Sequence, residues 1–466
     1  MSIRIPRPLL STLCALATLL PGIALHAQTT TMPATNDFPG WLTQPLSLAD
    51  AINMALKQNS TVLKSRQDLE VAHGIVVQTR AIVLPKLTAT GNYEFNDAIE
   101  TATVGPNTFS FQKDQNWNAG LRVVQSIYEG GRIASALRTA GLTRDQALFQ
   151  HQAVIADTLL AVRKAYYDTL LAEQQIHVRE ASVELLQKEL EDTTRRYEAG
   201  TVPRFNVLRA EVEVANAKPR LSRARNDWRI AKNNLANLLG FNLPANVWED
   251  IPLQLTDRLE VEPYHIELPA AIAQALARRP ELNALRKGEA LAKESVTTAK
   301  SGYKPSVQLY GGYGWRNSSF VDDLATDVRG WNAGAQLSWN IFDGRQTQGK
   351  VTEARARLEQ SHLQLDDSSR QIELEVRTAY STFIEAREVL DATQKVVEQG
   401  DEALRLAKSR YDAGTGTQLD VLNAETSLTE ARTTKNEALH DYLVARASLE
   451  RAIGQDVPDP AAPRVK

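Results

Sequence analysis

Metal binding, nucleophilic catalysis and phosphate handling each need particular residue types at particular spacings, and the reactive residues of this chain are scattered. The seven histidines, at 26, 73, 151, 177, 265, 362 and 440, never fall three or four residues apart, the spacing that puts two imidazoles on one helix face. There is no Gly-rich phosphate loop and no Gly-x-Ser-x-Gly turn. Methionine occurs only at 1, 32 and 54, too sparsely to line a path for a soft metal. The numerous Glu and Arg residues read as solvated faces of long helices with their i,i+4 pairs. We expect no catalytic constellation, no metal and no cofactor. The carboxylate whose position is most specific is Asp420: with Thr417 as an N-cap it sits at about the third helical position, where a negative charge stabilises a helix start.

Cys14 is the only cysteine, and it lies in an apolar run from Leu9 to Leu25 that follows Arg4 and Arg7. Interrupted by Pro21 and Gly22, and ending in Leu25-His26-Ala27, that run has the layout of a cleaved secretory signal over residues 1–27 and is too short for a spanning helix of about 20 residues. Leu13 stands where a lipoprotein signal would want a small residue before Cys14, so no lipid anchor is expected. A mature chain without Cys14 forms no disulfide and no thiolate metal site. With 53 basic and 56 acidic side chains, a net charge of −3, nucleic acid is not a partner. No later stretch is apolar enough for a membrane helix, so membrane residence would require β-strands.

The elements around Asp420 occur twice. Arg196-Tyr197-Glu198-Ala199-Gly200-Thr201 recurs as Arg410-Tyr411-Asp412-Ala413-Gly414-Thr415, an offset of 214 residues. Trp117-Asn118-Ala119-Gly120 matches Trp331-Asn332-Ala333-Gly334 at the same offset, and Gly240 matches Gly454. Nearer the start of each copy the offset is 220, with Pro85 answering Pro305, so the first copy carries six extra residues before Trp117, an insertion suited to a surface loop. We read an extended N-terminal segment over 28–46, a first repeat over 47–240, a Pro-containing linker over 241–264, a second repeat over 265–454 and a tail over 455–466.

Most of each repeat reads as helix. Leu142 to Ala199 contains neither Gly nor Pro, and a helix from about Arg132 to Ala199 would be on the order of 100 Å long, too long to bury itself in a compact domain. Ile372, Val376, Ala379, Phe383, Ala386, Leu390, Thr393 and Val397 step by four and three, the seam of a left-handed coiled coil. Gly200 and Gly414 should end the long helices and turn the chain back, with Pro203 in the next helix's first turn. Pro219 should kink the first returning helix, and Gly400 should be a second weak point.

Two segments alternate with period two instead. Leu87, Ala89, Gly91, Tyr93 and Phe95 oppose Lys86, Thr88, Thr90, Asn92 and Glu94, while Trp331, Ala333, Ala335, Leu337, Trp339 and Ile341 oppose Asn332, Gly334, Gln336, Ser338 and Asn340. With their partners they predict β-hairpins over 86–128 and 306–342, of strands long enough to cross a membrane when tilted. Tyr93, Phe95, Trp117, Trp315, Trp331 and Trp339 would form its aromatic belt. An ordinary half-buried sheet gives the same alternation. Four strands cannot close a barrel in lipid, so two or three copies must share one.

A duplicated unit of strand hairpin and long helices, with Arg-Tyr-x-Ala-Gly-Thr at its turns and Asp420-Val421-Leu422 after the second, resembles the TolC family of outer-membrane efflux and secretion channels over essentially the whole mature chain. The resemblance implies a mainly α fold with membrane β. In it each protomer of a homotrimer gives four strands to a twelve-stranded barrel among outer-membrane lipids, continued through the periplasm of a Gram-negative bacterium by an α-helical coiled-coil barrel. It implies an exit duct of a tripartite efflux pump or type I secretion system, with a periplasmic adaptor (membrane fusion protein) and an inner-membrane pump of RND, ABC or MFS type as partners. The repeat tips, Ala199, Gly200, Thr201, Ala413, Gly414 and Thr415, would touch the adaptor. Asp420 falls on the family's inner acidic gate position, and Tyr411 keeps the gate tyrosine. Asn423 and Asn206 replace the other acidic residues, and Gly416 replaces the arginine, which leaves a ring of Asp420 carboxylates as the constriction, with Asn423, Asn206 and Tyr411 beside it. A periplasmic coiled-coil adaptor or scaffold without a pore would explain the heptads but not the aromatic hairpins, and a porin would spend most of its chain on strands.

Overall fold

The computed structural model describes residues 44–95, 101–104, 106–110, 115–242, 250–317 and 327–455; the expected signal segment, most of the N-terminal segment and nearly all of the tail lie outside them. After a two-residue strand, β1 (Pro45–Leu46), the first half contains α1 (Leu48–Gln58), α2 (Ser60–Arg80), strands β2 (Lys86–Phe95), β3 (Thr101–Val104), β4 (Asn107–Ser110) and β5 (Gln115–Glu129), then α3 (Arg132–Glu198) and α4 (Arg204–Leu238). A short strand β6 (Gln254–Leu255), parallel to β1, opens the second half. There follow α5 (Leu268–Arg278), α6 (Pro280–Lys300), β7 (Ser306–Asn317), β8 (Asp327–Ser338), α7 (Gln346–Asp412) and α8 (Gln418–Ala452). The helices of the two halves have the same lengths in the same order, 11, 21, 67 and 35 residues. Among the described residues no helix is long and apolar enough to cross a membrane.

At about 1.5 Å per residue, α3 and α7 are on the order of 100 Å long, and each is matched by two shorter helices laid end to end. The end of α4 abuts the start of α2: Asn59 caps α2 with its side-chain oxygen and donates from Nδ2 to the Leu238 carbonyl at 2.8 Å. Gly240 makes the junction possible, since a Cβ there would sit 2.8 Å from the Gln58 carbonyl oxygen. The end of α8 meets α6 in the same way, at Gly454 and Arg279. Side by side, the helices run α2 with α4, then α3, then α6 with α8, then α7. The expected seam is the core of the second half: Ile372, Val376, Phe383, Ala386, Leu390 and Thr393 are buried, and the Phe383 ring lies 5.4 Å from that of Tyr442.

All four long strands form one antiparallel sheet in the order β2-β5-β7-β8. Register decides what each face carries. Directly opposed pairs put Leu87, Ala89, Tyr93 and Phe95 on the same face as Trp117, Leu121, Val123, Leu309, Tyr313, Trp315, Trp331 and Leu337. The other face presents Thr88, Asn92, Glu94, Asn118, Arg122, Gln308, Arg316, Asn332 and Gln336. Among the described residues nothing covers the apolar face: Trp331 is 83% exposed and Leu337 68%.

Several local expectations need correction. The six-residue insertion is not a plain loop but carries the small hairpin β3–β4. β8 ends at Ser338, so Trp339 and Ile341 lie beyond the strand, where the chain bends toward the turn at Asp343–Arg345 and Trp339 Nε1 donates to the Tyr303 carbonyl at 3.2 Å. Pro203 is the residue before α4, with extended φ and ψ, and not a member of its first turn. Helix α7 runs unbroken through Gly400; the missing side chain lets α8 approach, for a Cβ there would touch Leu428 at 3.4 Å.

Candidate functional site

The two helical hairpins, α3–α4 and α7–α8, turn at the end of the molecule far from the sheet. Each turn is a Schellman-type helix stop built by its repeated motif. Gly200 and Gly414 take left-handed φ values of 75° and 73°, Thr201 N–H donates to the Arg196 carbonyl and Thr415 N–H to the Arg410 carbonyl, each at 2.9 Å. Nothing lies within 4 Å of where a Cβ on Gly200 or Gly414 would stand, so both turns present bare backbone. Gly416 is different: a Cβ there would come within 3.0 Å of Arg410 Cβ and 3.1 Å of the Tyr411 nitrogen. A side chain at that position would need its neighbours to shift by a few tenths of an ångström.

Asp420 completes a capping box. Its Oδ2 accepts from the Thr417 backbone N–H at 2.9 Å and the Thr417 hydroxyl at 2.7 Å, while Thr417 Oγ1 accepts from the Asp420 N–H at 3.2 Å. Those hydrogen bonds hold the Asp420 carboxyl below its ordinary range. Asn423, one turn on, shares its exposed face of α8.

Tyr411 points elsewhere. It is half-buried among Leu185, Ala407, Val421 and Ala424, between the hairpins, with the Arg196 guanidinium 4.6 Å from its ring centre. Arg196 in turn pairs with Asp412 at 2.7 Å, tying α3 to α7 at the tip, and Gln418 Nε2 donates to Thr193 Oγ1 at 2.8 Å, tying α8 to α3. Asn206 is half-buried in the first turn of α4. Among the described residues no hydrogen bond or ion pair joins any two of Asp420, Asn423, Asn206 and Tyr411; a single chain brings only the first two together.

Sequence reasoning missed the polar residues inside the tip: Glu189, Thr193, Arg196, Lys408, Gln418 and Glu425. Glu425 is 3% exposed and lies 3.5 Å from Lys408 Nζ. The signal was available, since Gln418, Val421, Leu422, Glu425 and Leu428 fall on one buried stripe of α8 where every member should be apolar.

At the sheet, Tyr93, Phe95, Trp117, Trp315 and Trp331 lie toward the hairpin loops and Trp339 toward the helices. From Arg329, which pairs with Trp315, the chain advances ten residues to Trp339. Nine of those residues, to Ser338, are strand, which at about 3.3 Å per residue and a tilt of about 40° is roughly 23 Å of height.

Comparison with known proteins bears on the whole arrangement. The family described as outer membrane efflux protein matches the chain over residues 51–241 and again over 271–455. The chain is 26% identical over 425 residues to outer membrane protein TolC of Vibrio cholerae, covering 89% of this chain and 92% of that one. It is 26% identical over 416 residues to alkaline protease secretion protein AprF of Pseudomonas aeruginosa, covering 87% and 83%. In fold it resembles the CmeC outer membrane channel of Campylobacter jejuni with a TM-score of 0.74 at 16% identity, over 91% of this chain and 94% of that one.

Proposed function

This chain belongs to the outer membrane efflux protein family, and on that premise we propose that three copies close into one continuous duct through which an inner-membrane transporter discharges across the periplasm and the outer membrane. The protein is a channel of the Gram-negative outer membrane that serves efflux and type I secretion, in a family of ducts and not of enzymes.

The observation that supports closure into a ring is a pair of matching open edges, and family likeness favours three copies. Among the described residues, β2 and β8 of the sheet each have one side without a partner, and in the helical layer α2 with α4 stands open at one flank and α7 at the other. A head-to-tail ring, β2 and α4 of one copy against β8 and α7 of the next, satisfies both layers with one rotation. Three copies give twelve strands, enough for a closed barrel whose apolar face meets lipid and whose polar face meets the channel. A soluble scaffold would leave Trp331, Leu337 and Phe95 in water, which disfavours that reading.

The tip is the periplasmic end in this reading. The exposed backbone at Gly200 and Gly414 suits close contact with a periplasmic adaptor, itself joined to an inner-membrane pump. Asp420 and Asn423, on the exposed face of α8, supply the ring at the constriction. In planar lipid bilayers the purified protein should give discrete, uniform conductance steps. Assembled, detergent-soluble oligomers that conduct nothing at any pH or voltage would count against a duct.

A further inference from the structure

We propose that buried Glu425, with partly buried Glu189 and the more exposed Lys408 beside it, forms a proton-binding site between the two helical hairpins, and that one proton bound there holds the α7–α8 hairpin against α3. The site lies about two turns above the capping box, where α3, α7 and α8 meet. Glu425 is nearly fully buried on α8 and Glu189 faces it from α3. Lys408 reaches in from α7 to 3.5 Å, an ion pair longer than a good hydrogen bond. Two carboxylates and one ammonium leave an excess negative charge in an apolar setting.

The surroundings do not cancel it. Arg196 is occupied by Asp412, and the narrow cavity on the other side of Glu425 is bordered by Arg179 and Arg220 together with Glu213 and Glu430, two charges of each sign. Five buried oxygens of the cluster, both from Glu425 and one each from Glu189, Gln418 and Tyr411, have no hydrogen-bond partner among the described residues. A carboxylic acid proton gives the cluster a donor and removes the surplus charge in one step, and the cavity gives water a route to Glu425.

Burial pushes the Glu425 carboxyl up to about 7, and burial also raises Glu189. If the hairpins part, Glu425 meets water and returns to an ordinary carboxyl value of about 4.3. Between those values the packed arrangement holds more protons than the parted one, so its advantage declines as pH rises through that window and stays at its minimum above about 7. The packed-to-parted ratio should change on the order of a hundredfold per chain across the window.

The consequence for transport rests on the duct reading, since only then does a parted tip mean an open channel; the test measures distance within the chain and is independent of conductance. Cysteines at the exposed positions Glu191 on α3 and Ala403 on α7, with Cys14→Ser, carry spin labels for pulsed distance measurements on the detergent-solubilised full chain between pH 5 and 9. The shortest distance should be at its smallest and narrowest at pH 5, lengthen as pH rises toward about 7 and change little above it. Glu425→Gln should stay short throughout, Glu189→Gln, which removes a like charge, should keep the hairpins together to higher pH, and Lys408→Met, which removes the balancing charge, should let them part at lower pH. A distance unchanged from pH 5 to 9 in the natural chain, or a Glu425→Gln protein that titrates with the same midpoint, overturns the proposal. Should Glu425→Gln fail to assemble, a Lys408→Met protein whose hairpins do not part at lower pH than in the natural chain overturns it equally.

Discussion

Asp420 combines a local task with a collective one. Within the chain it caps α8, and its hydrogen bonds to Thr417 favour the ionised form. Around a threefold axis, like charges at close range would oppose that preference and concentrate cations. Asp420→Asn should therefore keep oligomers intact while losing most of the channel's block by divalent cations; equal block in both proteins, measured on single channels, would reduce Asp420 to a helix cap. Its place at the third helical position could be read from Thr417-x-x-Asp420 alone. Glu425 could not be read with the same ease, because a Glu on a helix rich in Glu looks solvated until the packing of α3 against α8 defines which stripe is buried.

The long helices and strands were the most legible elements, since each depends on a sustained period. The seam from Ile372 to Thr393 predicted which side of α7 would be buried, and Phe383 shows its weight: 2% exposed, it packs against Tyr264 and Tyr442. Phe383→Ala should cost about 3–5 kcal/mol, read as a lower temperature for thermal loss of the assembled state. Element ends were less legible. Alternation continues through Ile341, but pairing stops at Ser338, because the turn into α7 is set by Asp343, whose carboxylate accepts from the Thr347 N–H at 2.8 Å. In that turn Arg345 takes a left-handed φ of 71°, where the first half has Gly131. Arg345→Gly should stabilise the turn by about 1 kcal/mol, visible as a raised unfolding temperature, whereas a lowered one would mean that the arginine side chain is required there.

At the scale of the molecule, a chain with two open edges at matching flanks is, in the proposed assembly, a segment of a ring. The number of copies was not legible in the residues alone, since strand edges show only that closure is needed; two and three copies both give an even barrel, and family likeness favours three. The continuity of α4 with α2 and of α8 with α6 was also hidden, because it rests on contacts such as Asn59 to Leu238 across most of a repeat. Single-particle imaging of the detergent-solubilised protein tests the central claim most directly. The account predicts a threefold ring in which β2 of each copy pairs with β8 of the next and α4 packs beside the neighbour's α7, enclosing one channel along its axis. A monomer with its apolar sheet face covered only by detergent, or a ring that leaves β2 and β8 unpaired, would contradict it.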